Sequence, residues 1–198
     1  MVKESRLSIR ALRWEGDWSQ PDYAPTWLPK GIPPEIQRAA QEWFVPGSRL
    51  LDIGCGDGAI SAWLAGRGFE VTGVDLAPSA IKLAKETHHA PNLHFDVADV
   101  TRSLPQRGFD GLLDRGCLHL IPRKAKPAYV TNVAAAANRG ARFLLLNPRH
   151  PDRSAEDVIA EVRNLCGVWF RIERIVEVVM ARFDGGEHPG VVFWMFRR

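Results

Sequence analysis

The stretch Leu50-Leu51-Asp52-Ile53-Gly54-Cys55-Gly56-Asp57-Gly58 constrains this chain more than any other. A short apolar run leads into glycines at alternate positions, and helix-forming residues resume at Ala59. Glycine adopts backbone angles closed to other residues and admits a ligand close to the main chain. The segment therefore reads as a buried strand over Leu50–Ile53, a tight turn, and a helix through Ala59–Ala65.

The same alternation recurs downstream. Gly66-Arg67-Gly68 stops the first helix, and strands are expected at Phe69–Val74, Leu93–Val97, Gly111–Leu113 and Phe143–Leu146. Helices are expected at Ser79–Lys85, Pro122–Asn138 and Ala155–Leu165. Five strands separated by helical segments imply a doubly wound α/β fold with a parallel sheet and right-handed crossovers. Two β-rich runs, Ile172–Phe183 and Val191–Phe196, follow without a helix between them, which reads as a hairpin joined through residues 184–190.

The first 46 residues differ in composition, with Trp14, Trp18, Tyr23, Trp27 and Trp43 among prolines 21, 25, 29, 33, 34 and 46. Pro34-Glu35 is a good helix opening, since proline suits the first helical position and an acid suits the positive end of the helix dipole. A short helix to Glu42 is expected, with loop or broken helix before it. The 198 residues then form a single domain, an aromatic lid segment at 1–46 on a core at 47–198.

Charge and cysteine content narrow the function. The net charge of +3, from 26 basic and 23 acidic residues spread along the chain, argues against nucleic acid as a partner. Met1 to Arg13 lacks the apolar centre of a signal peptide, and no apolar stretch reaches bilayer length, so a cytoplasmic protein without a membrane partner is expected. Cys55, Cys117 and Cys166 have no metal-type spacing and read as reduced thiols, with no metal site expected. The oligomeric state is left open.

The glycine turn alone fits several nucleotides; Gly54, Gly56 and Ala59 even satisfy the looser dinucleotide fingerprint. Its acids discriminate. A pyrophosphate wants helix N-terminal amides and no anions, yet Asp52 ends the strand and Asp57 sits in the turn. Like charges about 4 Å apart at an effective dielectric near 20 repel by roughly 4 kcal/mol. S-adenosyl-L-methionine, which carries a sulfonium and an ammonium but no phosphate, suits such a turn. Asp75, ending the second strand, can accept bonds from both ribose hydroxyls. Asp99, after the third strand, can accept from an adenine amino group or cap its own loop.

Together these residues resemble the class I S-adenosylmethionine-dependent methyltransferases over roughly Trp14 to Arg198. Asp52 to Gly58 is similar to that family's first motif, Val74-Asp75 to its ribose-binding acid and Asp99-Val100 to its adenine loop. The resemblance implies a Rossmann-like seven-stranded sheet, mostly parallel with an antiparallel C-terminal strand. It implies a donor site of Trp27, Asp52, Gly54, Cys55, Gly56, Gly58, Asp75, Leu76, Asp99, Val100 and Arg115.

The acceptor side is expected at Asp114 to His119, because ligands lie beyond the carboxyl ends of the strands. Asp114-Arg115-Gly116 is similar to the thiopurine and thiol methyltransferase group, as are Trp14, Trp18 and the run Pro25 to Gly31. A small-molecule acceptor follows, partly apolar, with sulfur ranked first and oxygen or nitrogen as alternatives. Asp114, Arg115 and His119 are the candidate catalytic residues, His119 as general base because imidazole titrates near neutrality. Trp14, Trp18, Tyr23, His119 and His150 are candidate acceptor contacts. A nicotinamide-dependent oxidoreductase and a non-catalytic binding module are the rival readings.

Overall fold

The computed structural model describes residues 9–20, 23, 25, 31–104, 106–181 and 186–198, with the backbone alone at 9–12 and 181. Seven strands form one sheet in the order β3-β2-β1-β4-β5-β7-β6. They are β1 (Arg49–Ile53), β2 (Glu70–Asp75), β3 (Leu93–Val97), β4 (Phe109–Arg115), β5 (Ala137–Pro148), β6 (Phe170–Ala181) and β7 (Glu187–Arg197). β1 to β5 pair in parallel, and β7 lies antiparallel between β5 and β6. This is the seven-stranded Rossmann-like arrangement with its reversed final strand.

Alternating strand residues face two cores. On one side Leu51, Ile53, Leu112, Phe143 and Phe193 meet α5 (Lys126–Ala136) through Tyr129, Val130 and Val133, and α6 (Ala155–Cys166) through Val158 and Val162. On the other side Leu50, Val71, Leu113, Leu144 and Trp194 meet α2 (Pro34–Arg38), α3 (Ala59–Ala65) and α4 (Pro78–Thr87) through Ile36, Leu64 and Ile81. Each fully buried Leu or Ile side chain contributes about 1.5–3 kcal/mol, so these two layers carry most of the hydrophobic stabilisation.

The structure departs from the sequence reading at several points. The segment read as loop or broken helix holds α1 (Ile9–Trp18). Trp14 and Trp18, four residues apart, share its inner face, and Trp18 packs on Ala77 and Ala80 of α4. Helicity there comes from docking, since Gly16 interrupts the segment and weakens any intrinsic preference. The helix from Pro34 widens into a π-helical turn over Ala39–Trp43, and Trp43 packs edge-on against Trp194 in the core.

The helix expected to reach Asn138 stops at Ala136, and Ala137 already pairs with Phe109. Sheet pairing there overrides the helix preference of the alanine run. Finally, β7 begins at Glu187, so His188 and Pro189, read as connecting loop, are strand residues opposite Met180 and Val179.

Gly111 shows how tightly the second core is closed: a β carbon there would collide with Leu50 Cδ2 and lie 2.8 Å from Phe44 Cδ1. Gly111→Ala is expected to destabilise the fold by about 1–3 kcal/mol through overpacking, read as a lower urea midpoint with an unchanged slope.

Candidate active site

The carboxyl ends of β1, β2 and β4 converge on the glycine turn. Gly54 N–H and Cys55 N–H both donate to the Val74 carbonyl, at 2.8 and 3.0 Å, anchoring the turn to β2. Gly54 has φ of +73°, and a β carbon there would lie 2.9 Å from that of Cys117, so only glycine fits. Asp75 bridges two loops: its Oδ2 accepts from Gly56 N–H at 3.0 Å and its Oδ1 from Ala77 N–H at 2.9 Å. Burial pushes its carboxyl up, and the amides of Ala77, Gly56 and Leu76 pull it back. Each oxygen keeps a lone pair for a diol.

Beyond this edge opens a cavity of about 370 Å³. Ile53, Gly54, Val74, Asp75, Leu76, Ala98 and Val100 line one part. Arg115 to Cys117, His119 to Ile121, Pro148, Met180 and His188 line another, and Trp14 and Trp18 of α1 complete the wall. The lining is mostly apolar with a few convergent polar groups, the usual character of a small-molecule site.

Residues 50–140 match the family described as "Methyltransferase domain". The chain is 34% identical over 129 residues to a 2-heptyl-1-hydroxyquinolin-4(1H)-one methyltransferase of Mycobacteroides abscessus, covering 62% of this chain and 55% of that protein. It superimposes at TM-score 0.73 and 26% identity on a structure described by the conversion of a disulfide bond into a thioacetal group during echinomycin biosynthesis, covering 87% and 85% of the two chains. The N-methyltransferase NodS of Bradyrhizobium japonicum WM9, in complex with S-adenosyl-L-homocysteine, matches at TM-score 0.74 and 16% identity, with 96% and 99% covered.

Over residues 50–140 the chain is similar to methyltransferase domains, and its fold is the one that these solved structures share. The chain spans about half the length of the curated relatives it matches.

The structure places the sequence candidates unevenly. Gly54, Asp75, Leu76, Val100, Arg115, Trp14, Trp18 and His119 line the cavity. Asp52 does not; it is buried behind the turn, where Ser61 Oγ–H of α3 donates to it at 2.6 Å. Asp57 accepts from Ala59 N–H at 3.2 Å and starts α3. The two acids of the charge argument thus shape the turn from behind rather than face a ligand. Of the other turn residues, Gly56 meets Asp75 through its amide, Cys55 is buried, and Gly58 sits at φ of +77° against Phe95.

Asp99 ties its own loop, accepting from Thr101 N–H and Oγ–H at 3.0 and 2.6 Å, while Ala98 and Val100 beside it reach the cavity.

Asp114 also differs from its expected place. It is wholly buried and accepts from Cys117 N–H at 2.7 Å, Leu118 N–H at 3.0 Å and Tyr129 O–H at 2.5 Å. Burial still pushes it up to about 6. Its work is to hold the turn that presents Arg115 and His119, with Gly116 at φ of +86° leaving room for the His119 ring. Burial pulls the Arg115 guanidinium down, and Glu35 and Asp52 push it back up.

His119 lines the cavity and is in part exposed to solvent. Desolvation, with the charges of Lys126 and His188, pulls it to about 4, so it is neutral at neutral pH.

His150 lies away from the cavity, exposed and paired with Asp152 at 3.2 Å, because the chain leaves the site after Pro148. Tyr23 supports Trp18 edge-on at 5.2 Å between ring centroids without lining the cavity. Trp27 lies outside the described residues. Glu15 of α1 fastens the lid helix: Ser79 N–H and Oγ–H of α4 donate to its carboxylate at 2.9 and 2.5 Å. Met180 and His188 went unnoticed in the sequence, since one histidine in a Gly-Pro-rich connection has no periodic signal.

Burial raises Asp52 from 3.8 to about 7, so the native state binds a proton that the unfolded chain releases between those values. The protonated carboxyl contributes stability that is full below about pH 4 and lost as pH rises through about 7. His119, shifted the opposite way, partly masks this in the wild type. The difference in unfolding free energy between wild type and Asp52→Asn is therefore expected to fall from about pH 4 to about pH 7 and to level off above that in urea titrations.

Proposed function

We propose that the protein transfers a methyl group from S-adenosylmethionine to a small, largely apolar acceptor bearing an acidic hydroxyl or thiol. The observation that carries this reading is the single cavity that joins Asp75 and the glycine turn to Arg115 and His119 through apolar walls. The donor fits the first part: Asp75 can hold a ribose diol, and Leu76, Ala98 and Val100 can flank a purine. When bound, the donor supplies a methyl group already activated by a positive sulfur.

The chain then has to align the acceptor and keep water out. Trp14 and Trp18 cover the cavity and offer cation–π attraction of about 0.5–2 kcal/mol to a sulfonium. Arg115 steadies negative charge on the acceptor or on the donor's carboxylate. His119, neutral at working pH, takes the acceptor's proton at an imidazole nitrogen. A neutral imidazole is too weak a base to strip an ordinary alcohol, so this reading calls for an acceptor that ionises readily by itself.

Sulfur and oxygen both meet that requirement. The thiol choice is supported by the likeness of Asp114-Arg115-Gly116 to the thiol-methylating group and by the thioacetal chemistry of the 26%-identical structure. The oxygen choice is supported by the hydroxyquinolinone named for the Mycobacteroides relative.

Labelled donor with matched panels of thiols, phenols and N-hydroxy heterocycles is expected to give transfer to acidic members of these panels. Aliphatic alcohols and amines are expected to stay unmodified. Asp75→Ala is expected to weaken S-adenosylhomocysteine binding by at least tenfold, about 1.4 kcal/mol, by calorimetry. Retained binding would remove Asp75 from the donor site.

A further inference from the structure

The β6–β7 hairpin brings Met180 and His188 to the cavity. They are cross-strand partners, so their side chains stand on one face of the hairpin. Gly190, two residues along β7 and therefore on that same face, pairs with Pro148 of β5, and a β carbon at Gly190 would lie 2.7 Å from Met180 Sδ. Pro148 in turn lies beside His119: its Cγ and the imidazole Cε1 are 3.5 and 3.4 Å from the place of a Gly116 β carbon. A continuous wall thus runs from His119 over Pro148 and Gly190 to Met180 and His188, and the two imidazoles sense each other's charge.

We propose that His188 is a second acceptor-contacting residue, which together with His119 holds the acceptor's nucleophilic oxygen or sulfur between two imidazoles. The proposal rests on the methyl-transfer reading above and adds the residue that selects the acceptor. Arg115 lines the same cavity, and Lys126, itself bound to Glu161 at 2.6 Å, adds positive charge near His119. Desolvation and the charge of Lys126 keep His119 in its neutral form. One ring donates an N–H to the nucleophile while the other accepts its proton. The acceptor's lone pair forms the bond to the methyl carbon, the electrons of the broken carbon–sulfur bond stay on the donor's sulfur, and the proton leaves through the imidazole to solvent.

The hairpin position explains why an acidic acceptor is preferred. A nucleophile that arrives largely ionised is an acceptor for N–H groups, and the wall offers these beside the apolar thioether of Met180.

The test uses the whole chain saturated with S-adenosylhomocysteine and titrated with 4-nitrophenol and with 4-nitrothiophenol, in wild type, His188→Phe and His188→Gln. His188→Phe is expected to weaken binding of at least one probe by about tenfold or more, with S-adenosylhomocysteine affinity held within about twofold. His188→Gln, which keeps a donor N–H, is expected to recover part of that loss. Unchanged affinity for both probes in His188→Phe overturns the proposal, as does an equal loss of probe and S-adenosylhomocysteine binding. A wild type that binds S-adenosylhomocysteine but neither probe also overturns it and leaves the donor site standing. Failure to bind S-adenosylhomocysteine would instead overturn the methyltransferase reading itself.

Discussion

The parallel pairing of β1 with β2, in the register Ile53 to Val74, sets the glycine turn and the β2–α4 turn side by side, and one carboxylate then joins them. Asp75 receives an amide from each turn. The same amides oppose the rise that burial imposes on the carboxyl, so the cross-link also favours its charged form. It leaves both oxygens with capacity to spare, which is how one residue can order the loops and still meet a ligand. The lid helix is fastened to the same neighbourhood by Glu15 on Ser79, two residues beyond the Ala77 amide that Asp75 holds.

Two further acids are buried on opposite faces of neighbouring strands, Asp52 towards α3 and Asp114 towards α5. Desolvation is the leading influence on each, and the hydrogen bonds received decide how far each is pushed. Asp114, with Tyr129 and two backbone amides donating to it, reaches about 6, whereas Asp52, with Ser61 alone as its side-chain donor and three neighbouring carboxyls, reaches about 7. Both serve the site indirectly. Asp52 braces the helix that leaves the glycine turn, and Asp114 braces the loop that carries Arg115 and His119.

Much of this was legible in the residues. The strands of the parallel half are apolar runs bounded by glycines, and the turn at Gly54 to Gly58 announces its own backbone conformation. Asp75 was legible because its position at a strand end limits what it can do. Asp52 and Asp114 were legible as acids near the site but not in direction, since one residue's difference in strand parity decides which face a side chain takes. The α1 helix was hidden because it depends on tryptophans docking against α4, some sixty residues away. His188 was hidden for a related reason: it acquires its place only by pairing with Met180. His150 resembled it in sequence terms and lies elsewhere, because a histidine after a strand can follow the chain away from the site.

The insertion of β7 between β5 and β6 also makes one strand depend on its successor. β6 precedes β7 in the chain, yet it pairs with the sheet through β7. The wall bearing Met180 and His188 therefore rests on two pairings at once, β7 with β5 and β6 with β7. A change that loosens β7 from β5 unseats β6 with it, and takes both side chains out of the cavity together.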